Sequence, residues 1–154
     1  MGIGEKIYTD SHITGFKEEI AKAAQQPDDR FFTWFNSAAN RDAAFVRGQW
    51  DFALHIAAPL APYLQQPEQK NVLEIGHGGG RILCAACRGF AKGVGVDIHE
   101  HNQLVRNELS QRGVNNVELL QADGHTLPLP DQSVDVIYSF VVLQHVQKIE
   151  IFQE

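Results

Sequence analysis

The sequence has little positive charge, few cysteines and no long apolar run. Lys and Arg number 13 among 154 residues, against 19 Asp and Glu, and the formal net charge is −6. Duplex nucleic acid is bound through basic side chains that contact phosphates, so we expect no nucleic-acid partner. The longest apolar stretch, 134–143, contains Asp135 and is too short to span a bilayer. Because the N-terminus also lacks a signal-peptide core, we expect a cytoplasmic protein without a membrane span.

The two cysteines, Cys84 and Cys87, have the C-x-x-C spacing that redox pairs and zinc sites share. They follow a glycine-rich loop by one turn, among small apolar residues, whereas a redox pair lies at an exposed helix start. Zinc would need two further ligands, and the sequence has no second C-x-x-C and no H-x-x-x-H. His99 and His101 resemble a metal pair, but their polar neighbours favour a solvated helix start. We therefore predict buried cysteines and no metal site.

Helical patterns fill the first 65 residues, and we predict that residues 1–66 form an N-terminal helical cap. Asp10 or Ser11 can begin a helix that ends before Pro27, and Asn40 or Asp42 can begin the next. These start and stop signals separate the cap into at least two helices.

Two apolar groups in the cap have different predicted roles. The aromatic cluster at 31–35 is interpreted as the contact that docks the cap on the core, although a substrate lid or a membrane-facing patch has the same composition. Pro59 lies in a second apolar pattern, so we expect a kink there or a break into a short second helix. That pattern has helical spacing and predicts one buried face: Val46, Trp50, Ala53, Leu54, Ala57, Leu60, Ala61 and Leu64.

After a polar connector the pattern changes to short strands and helices in alternation. Predicted strands lie at 72–75, 94–97, 117–120 and 134–139, and predicted helices at 81–90, at 101–112 and from Leu143 onward. This alternation predicts a Rossmann-like parallel α/β sheet with helices on both faces, formed by residues 70–154.

A glycine-rich loop, 76–80, lies between the first predicted strand and its helix. Dinucleotide folds use G-x-G-x-x-G, but Arg81 or Leu83 stands at the third glycine position, depending on the register. This disfavours a nicotinamide-dependent oxidoreductase, and the lack of Gly-Lys-Ser/Thr excludes a P-loop. The loop instead fits G-x-G-x-G with an acidic residue, Glu74, two positions ahead.

Two further acidic residues follow the next two strands. Asp97 ends the second strand, where a carboxylate can accept both ribose hydroxyls of a nucleoside. Asp123 follows the third strand, where a carboxylate can accept from the amine of adenine. Since the carboxyl ends of parallel strands meet at one edge of the sheet, we expect Glu74, Asp97 and Asp123 to face one crevice.

With these residues the sequence resembles class I S-adenosylmethionine-dependent methyltransferases, of the small-molecule type similar to ubiquinone and menaquinone biosynthesis methyltransferases. Four blocks carry the resemblance in order, namely 72–81, 94–97, 122–124 and 127–146. His77 stands where this family often has Cys. The resemblance implies S-adenosylmethionine as cofactor and methyl transfer to a small-molecule acceptor.

The resemblance also implies a role for each matching residue. It assigns the methionine end of the cofactor to Glu74 and to the loop residues Gly76, His77, Gly78 and Gly80. It assigns the ribose to Asp97, the face of the adenine to Ile98, and the edge of the adenine to Asp123 and Gly124. Phe140 would line the methionine end and the substrate opening. For an acceptor that must lose a proton, His145 is the candidate base, with a helix-start histidine bonded to backbone as the alternative.

Class I methyltransferases have seven-stranded sheets, and only four strands can be counted here. We therefore expect either a short form or part of a longer protein, and a non-catalytic binding or assembly module is the alternative function. The fourth strand would then form a bare, apolar sheet edge, so we predict self-association or cover by the N-terminal helices.

Overall fold

A series of helices precedes alternating strands and helices in the computed structural model, which describes residues 3–27 and 29–145, with side chains from residue 11 onward. The helices are α1 (Ile3–Ala24), α2 (Arg30–Trp34), α3 (Arg41–Asp51), α4 (Ala58–Leu60), α5 (Arg81–Ala86) and α6 (Asn102–Gln111). The strands are β1 (Asn71–Ile75), β2 (Lys92–Asp97), β3 (Val117–Gln121) and β4 (Val136–Ser139). Short 3₁₀ turns lie at Pro67–Gln69 and Leu143–His145.

The helix signals of the cap act mostly as the sequence predicts. Asn40 caps α3, since its side-chain oxygen accepts from the amide of Ala43 at 2.9 Å. Before Pro59 the helix widens into a π-helical stretch, Phe52–Ala57, and Pro59 itself lies in the short helix α4 that follows, so the helix type changes where the sequence predicts an interruption. By contrast, α1 begins at Ile3, earlier than its predicted cap. The helix predicted from Leu143 onward starts as a 3₁₀ turn, and its remainder lies outside the described residues.

The four strands form an all-parallel sheet in the order β3-β2-β1-β4. In the central register Leu73 lies opposite Val94 on one side and opposite Ile137 on the other. This confirms the predicted Rossmann-like α/β fold. Among the described strands, β4 lies at one edge of the sheet and β3 at the other.

The two faces of the sheet pack against different parts of the chain. On one face, Leu83 of α5 and Leu109 of α6 join the buried aromatic residues Phe31 and Phe32 in one cluster. The opposite face, which includes Leu73, packs within the described residues against partly buried side chains of the segment 122–134. The aromatic cluster thus docks the N-terminal helices onto the core.

The predicted buried face of α3 and the turns after it is wrong in part. Val46, Trp50 and Leu54 are 54%, 65% and 60% exposed. Gly48 packs against α5 instead, so closely that a Cβ there would lie 2.3 Å from the Arg81 carbonyl oxygen. The buried side of α3 carries Ala44, Phe45 and Gly48, so the helix turns to the core a different side from the predicted one.

Candidate functional site

A cavity of about 1180 Å³ opens where the strands end and the loops after them begin. The structure thereby brings together residues from four loops, as the parallel topology predicts. Most of the predicted site residues line this cavity: Glu74, Gly76, His77, Gly78, Asp97, Ile98, Gly124, Phe140 and His145. Their proposed roles toward a cofactor remain predictions.

The glycine loop turns sharply after β1. Gly76 and Gly78 have φ angles of +78° and +54°, in the region that favours glycine. A Cβ at Gly78 would also lie 2.9 Å from the Phe35 ring. Gly80 lies outside the cavity lining and is the N-cap of α5, where a Cβ would lie 2.7 Å from Val105. In this structure Gly80 therefore serves helix packing.

The Asp97 carboxylate is held by three main-chain amides. Its Oδ2 accepts from Gly78 at 2.8 Å, and its Oδ1 accepts from Ile98 at 2.7 Å and from His99 at 3.3 Å. A carboxylate has about four acceptor positions. Within the described residues, one position thus remains for a further donor, which is fewer than binding of both ribose hydroxyls would use.

Glu74 is a buried carboxyl group, 3% exposed, on the cavity side of β1. The hydroxyl of Tyr138 donates to its Oε2 at 3.0 Å. Burial raises the pKa of Glu74 to about 8, against the opposing effects of the Tyr138 hydrogen bond and the Arg81 charge. Near neutral pH the group is therefore mainly protonated and can both donate and accept.

His77 in the glycine-rich loop and His99 after β2 form a buried pair, with ring centroids 5.1 Å apart. The interpretation of His99 as part of a solvated helix start is wrong, because its side chain is 2% exposed and packs edge-on against Phe31. Among the described residues, His77, Asp97 and His99 have ligand atoms within 4.8 Å of one another, the spacing of a possible metal site. However, Nδ1 of His77 and Nε2 of His99 both lie within hydrogen-bond distance of the Gly78 carbonyl oxygen, which occupies the space between them.

Contrary to the prediction from the sequence, Asp123 does not face the crevice with Glu74 and Asp97. It is exposed and does not line the cavity. Its Oδ1 accepts from the amides of His125 and Thr126, each at 2.8 Å, and these hydrogen bonds lower the pKa of Asp123. Asp123 therefore shapes the turn that carries Gly124, and Gly124 itself reaches the cavity.

The N-terminal helix α1 forms part of the cavity wall, which sequence reasoning missed. Ile13 and Phe16 line the cavity, and Ile13 packs so close to Gly124 that a Cβ there would lie 2.6 Å away. The Phe16 ring also lies edge-on to that of His145, with centroids 5.1 Å apart. The helical pattern of α1 does not indicate which distant residues the helix contacts.

The two cysteines are free and buried, as predicted. Burial raises the pKa of the Cys87 thiol to about 12, and it also raises the pKa of Cys84. Both thiols are therefore protonated and poorly nucleophilic at neutral pH.

No helix in the described part of the chain is both long enough and apolar enough to cross a membrane.

Residues 73–154 match the sequence model of a family described as "Methyltransferase domain". The chain is also similar to several solved structures. The YcgJ protein from Bacillus subtilis is 27% identical with a TM-score of 0.48, and the match covers 55% of this chain and 37% of that one.

Two further structures support the fold. A phosphoethanolamine N-methyltransferase from Haemonchus contortus, solved with phosphoethanolamine and S-adenosylhomocysteine, is 18% identical with a TM-score of 0.62; the match covers 89% of this chain and 27% of that one. A SAM-dependent methyltransferase from Aquifex aeolicus is 23% identical with a TM-score of 0.55, and the match covers 68% of this chain and 58% of that one. The chain thus spans less than two thirds of the length of each of these proteins.

Proposed function

Because the chain belongs to the methyltransferase domain family, we propose that it binds S-adenosylmethionine in the cavity at the glycine loop and transfers a methyl group to a small-molecule acceptor. S-adenosylmethionine is the cofactor that membership of this family indicates. One observation carries the proposal. The amide of Gly78 and the carboxylate of Asp97 are joined at the cavity wall, so the loop and the acid after the next strand act as one binding element.

The residues of the cavity fit a nucleoside that carries an amino-acid chain. Asp97 has one acceptor position open for a ribose hydroxyl, and Ile98 beside it offers an apolar surface for the base. Gly124 brings main-chain atoms to the wall without a side chain. The protonated carboxyl of Glu74 offers hydrogen bonds for the polar end of the amino-acid chain.

The acceptor we propose is a small molecule with a substantial apolar part. Ile13, Phe16, Phe140 and Leu143 contribute an apolar and aromatic wall from both ends of the chain. Such walls bind apolar groups, while a few polar groups fix the orientation of the ligand. His145, against Phe16, is the polar group that we assign to the acceptor.

Methyl transfer requires little acid–base chemistry from the side chains of the protein. When bound, S-adenosylmethionine supplies a methyl group that its sulfonium centre already activates for displacement. The chain's own residues then align the acceptor and exclude water. His145 takes a proton only from an acceptor that must lose one in the transfer.

The binding half of the proposal is tested by calorimetric titration of the purified chain with S-adenosylhomocysteine. We expect saturable binding in the wild type and none in Asp97→Ala, whose fold is checked by circular dichroism. Absence of binding by a folded wild type would reject the proposed cofactor site.

Turnover is tested separately, with radiolabelled S-adenosylmethionine and a panel of phenols, thiols and amines that carry apolar groups. We expect transfer to at least one acceptor, with a lower rate but unchanged S-adenosylhomocysteine affinity in His145→Gln. Binding without transfer to any acceptor would favour the alternative, a non-catalytic binding module.

We also propose that copies of the chain associate through β4. The strand is an edge among the described strands, and Ile137 on it is 57% exposed. An exposed apolar edge pairs readily with another strand because its main-chain groups lack partners on that side.

A further inference from the structure

Three side chains form hydrogen bonds with the main chain of Gly78. Its amide donates to Asp97 Oδ2 at 2.8 Å. Its carbonyl oxygen lies 3.0 Å from Nδ1 of His77 and 2.9 Å from Nε2 of His99. A carbonyl oxygen only accepts hydrogen bonds, so each of these ring nitrogens must carry the proton.

Each ring has a second contact that suits the opposite role for its other nitrogen. Nδ1 of His99 accepts from the amide of His101 at 3.1 Å, which leaves the proton on Nε2. Nε2 of His77 lies 3.1 Å from Oδ1 of Asn102, so in this placement both nitrogens of the ring face oxygen atoms. Because the oxygen and nitrogen of a side-chain amide are assigned from their partners, we turn the Asn102 amide by 180°, which lets its NH₂ group donate to Nε2 while Nδ1 keeps the proton. Burial lowers the pKa of His77 to about 4, so that ring is neutral near pH 7. We therefore expect the proton on Nδ1 of His77 and on Nε2 of His99.

We propose that His77 and His99 are positioning residues that hold the Gly78 peptide, and through it the Asp97 carboxylate, in the orientation that binds the cofactor's ribose. The inference rests on the proposed function of the cavity. It assigns the support of the Gly78 peptide to two buried histidines, one in the loop and one after β2, that sequence patterns do not connect.

The glycine content of the loop explains why the Gly78 peptide needs this support. Three consecutive glycines follow His77, and glycine loses more conformational freedom on ordering than any other residue. If the loop were ordered only by the ligand, that entropy would be subtracted from the affinity. Two buried donors on one carbonyl order the loop beforehand, and an edge-on contact with Phe31 and a tilted contact with Phe35 keep the His99 ring in place.

The tautomers provide a direct test that needs no ligand. In a long-range ¹H–¹⁵N correlation spectrum of the wild type at neutral pH, we expect His77 as the Nδ1–H form and His99 as the Nε2–H form. Assignment uses His77→Asn and His99→Gln, each of which removes one ring. The proposal would be overturned if Nδ1 of His77 or Nε2 of His99, the two nitrogens that face the Gly78 carbonyl oxygen, carried no proton.

Affinity for S-adenosylhomocysteine provides the second test, with matched substitutions. The amide nitrogen of Gln reaches the place of a histidine Nε2, and that of Asn the place of Nδ1. We expect His99→Leu and His77→Leu to lower the affinity about 10-fold or more, because each removes one buried hydrogen bond. His99→Gln and His77→Asn should restore most of it, although all four variants change the packing of a buried ring.

The outcomes separate this inference from the proposed function. If the wild type binds no S-adenosylhomocysteine, the proposed function fails while the tautomers can still be read. If the wild type binds and the Leu variants bind equally well, the positioning role alone is rejected. If the donor-retaining variants lose as much affinity as the Leu variants, the rings act by packing, and the proposal is again rejected.

Discussion

The amide of Gly78 donates to the carboxylate of Asp97 across 2.8 Å, and this hydrogen bond ties the loop after β1 to the end of β2. The two residues are 19 positions apart, and the parallel pairing of β1 with β2 brings them to the same edge. Because Asp97 also accepts from Ile98 and His99, its orientation is fixed by the protein before any ligand arrives. Disturbing the carboxylate should therefore affect the loop and the ligand together.

Asp97→Asn is expected to lower the affinity for S-adenosylhomocysteine about 10- to 100-fold, because it places an NH₂ group where three amides need acceptors. Asp123→Asn is the matched comparison. Asn makes the same type of turn as Asp, and Asp123 is exposed and bonded to its own turn, so we expect a change of less than about 3-fold. Calorimetric titration measures both.

An effect of Asp123→Asn as large as that of Asp97→Asn would contradict this reading of the structure. It would support the role in adenine recognition that the family resemblance implies for Asp123. The fold of both variants is compared by circular dichroism, so that lost affinity is not confused with unfolding.

Glu74 makes the stability of the fold depend on pH. Its pKa is about 8 in the folded chain against an ordinary value of 4.5, so the unfolded state loses its proton first as pH rises. The contribution to stability is complete below about pH 4.5 and is lost as pH rises through 8. At about 1.4 kcal/mol for each pKa unit, the loss across this window is on the order of a few kcal/mol.

Glu74→Gln should remove this component, because Gln can still accept from Tyr138 and does not ionise. Urea denaturation at several pH values between 4.5 and 8 measures the free energy of unfolding of each variant. Glu68→Gln, at an exposed glutamate, is the control and should keep the wild-type pH dependence. Equal pH dependence in wild type and Glu74→Gln would refute the assignment.

The sequence could predict the glycine loop and the residues beside it because local patterns specify them. A short apolar strand that runs into Gly76 and Gly78 leaves few conformations, and Asp97 at the end of the next strand must reach the same edge. The roles of His99 and α1 could not be predicted in this way. His99 has polar neighbours in sequence, and its burial depends on Phe31 in a distant helix.

The exposed side of α3 shows a second limit of sequence patterns. One apolar spacing runs through Val46, Trp50 and Leu54, and a second runs through Phe45, Phe52 and Ile56. The packing is decided instead by how closely α5 can approach, and Gly48 offers the least obstruction. Of the two apolar sides, the one that also carries Gly48 is the buried one.

The difference between the two sides of this helix can be measured through stability. Trp50→Gln should change the free energy of unfolding by less than about 0.5 kcal/mol, because the side chain is 65% exposed. Phe45→Ala should lower it by about 3 to 5 kcal/mol, because that ring is 3% exposed and belongs to the main core cluster. Urea denaturation of both variants decides the point, and a loss of several kcal/mol in Trp50→Gln would mean that its side of the helix is covered in solution.

The β4 edge leads to a prediction about association. We expect wild-type protein to show concentration-dependent self-association in sedimentation velocity, and Ile137→Lys to abolish it, because a charge on an exposed edge opposes strand pairing. Leu104→Lys, at a 39% exposed leucine on α6, is the control and should associate like the wild type. A wild type that stays monomeric at all concentrations would exclude pairing through β4. Association that both lysine variants retain would instead assign the contact to another surface, for which the outward side of α3 with Trp50 is the next to be tested.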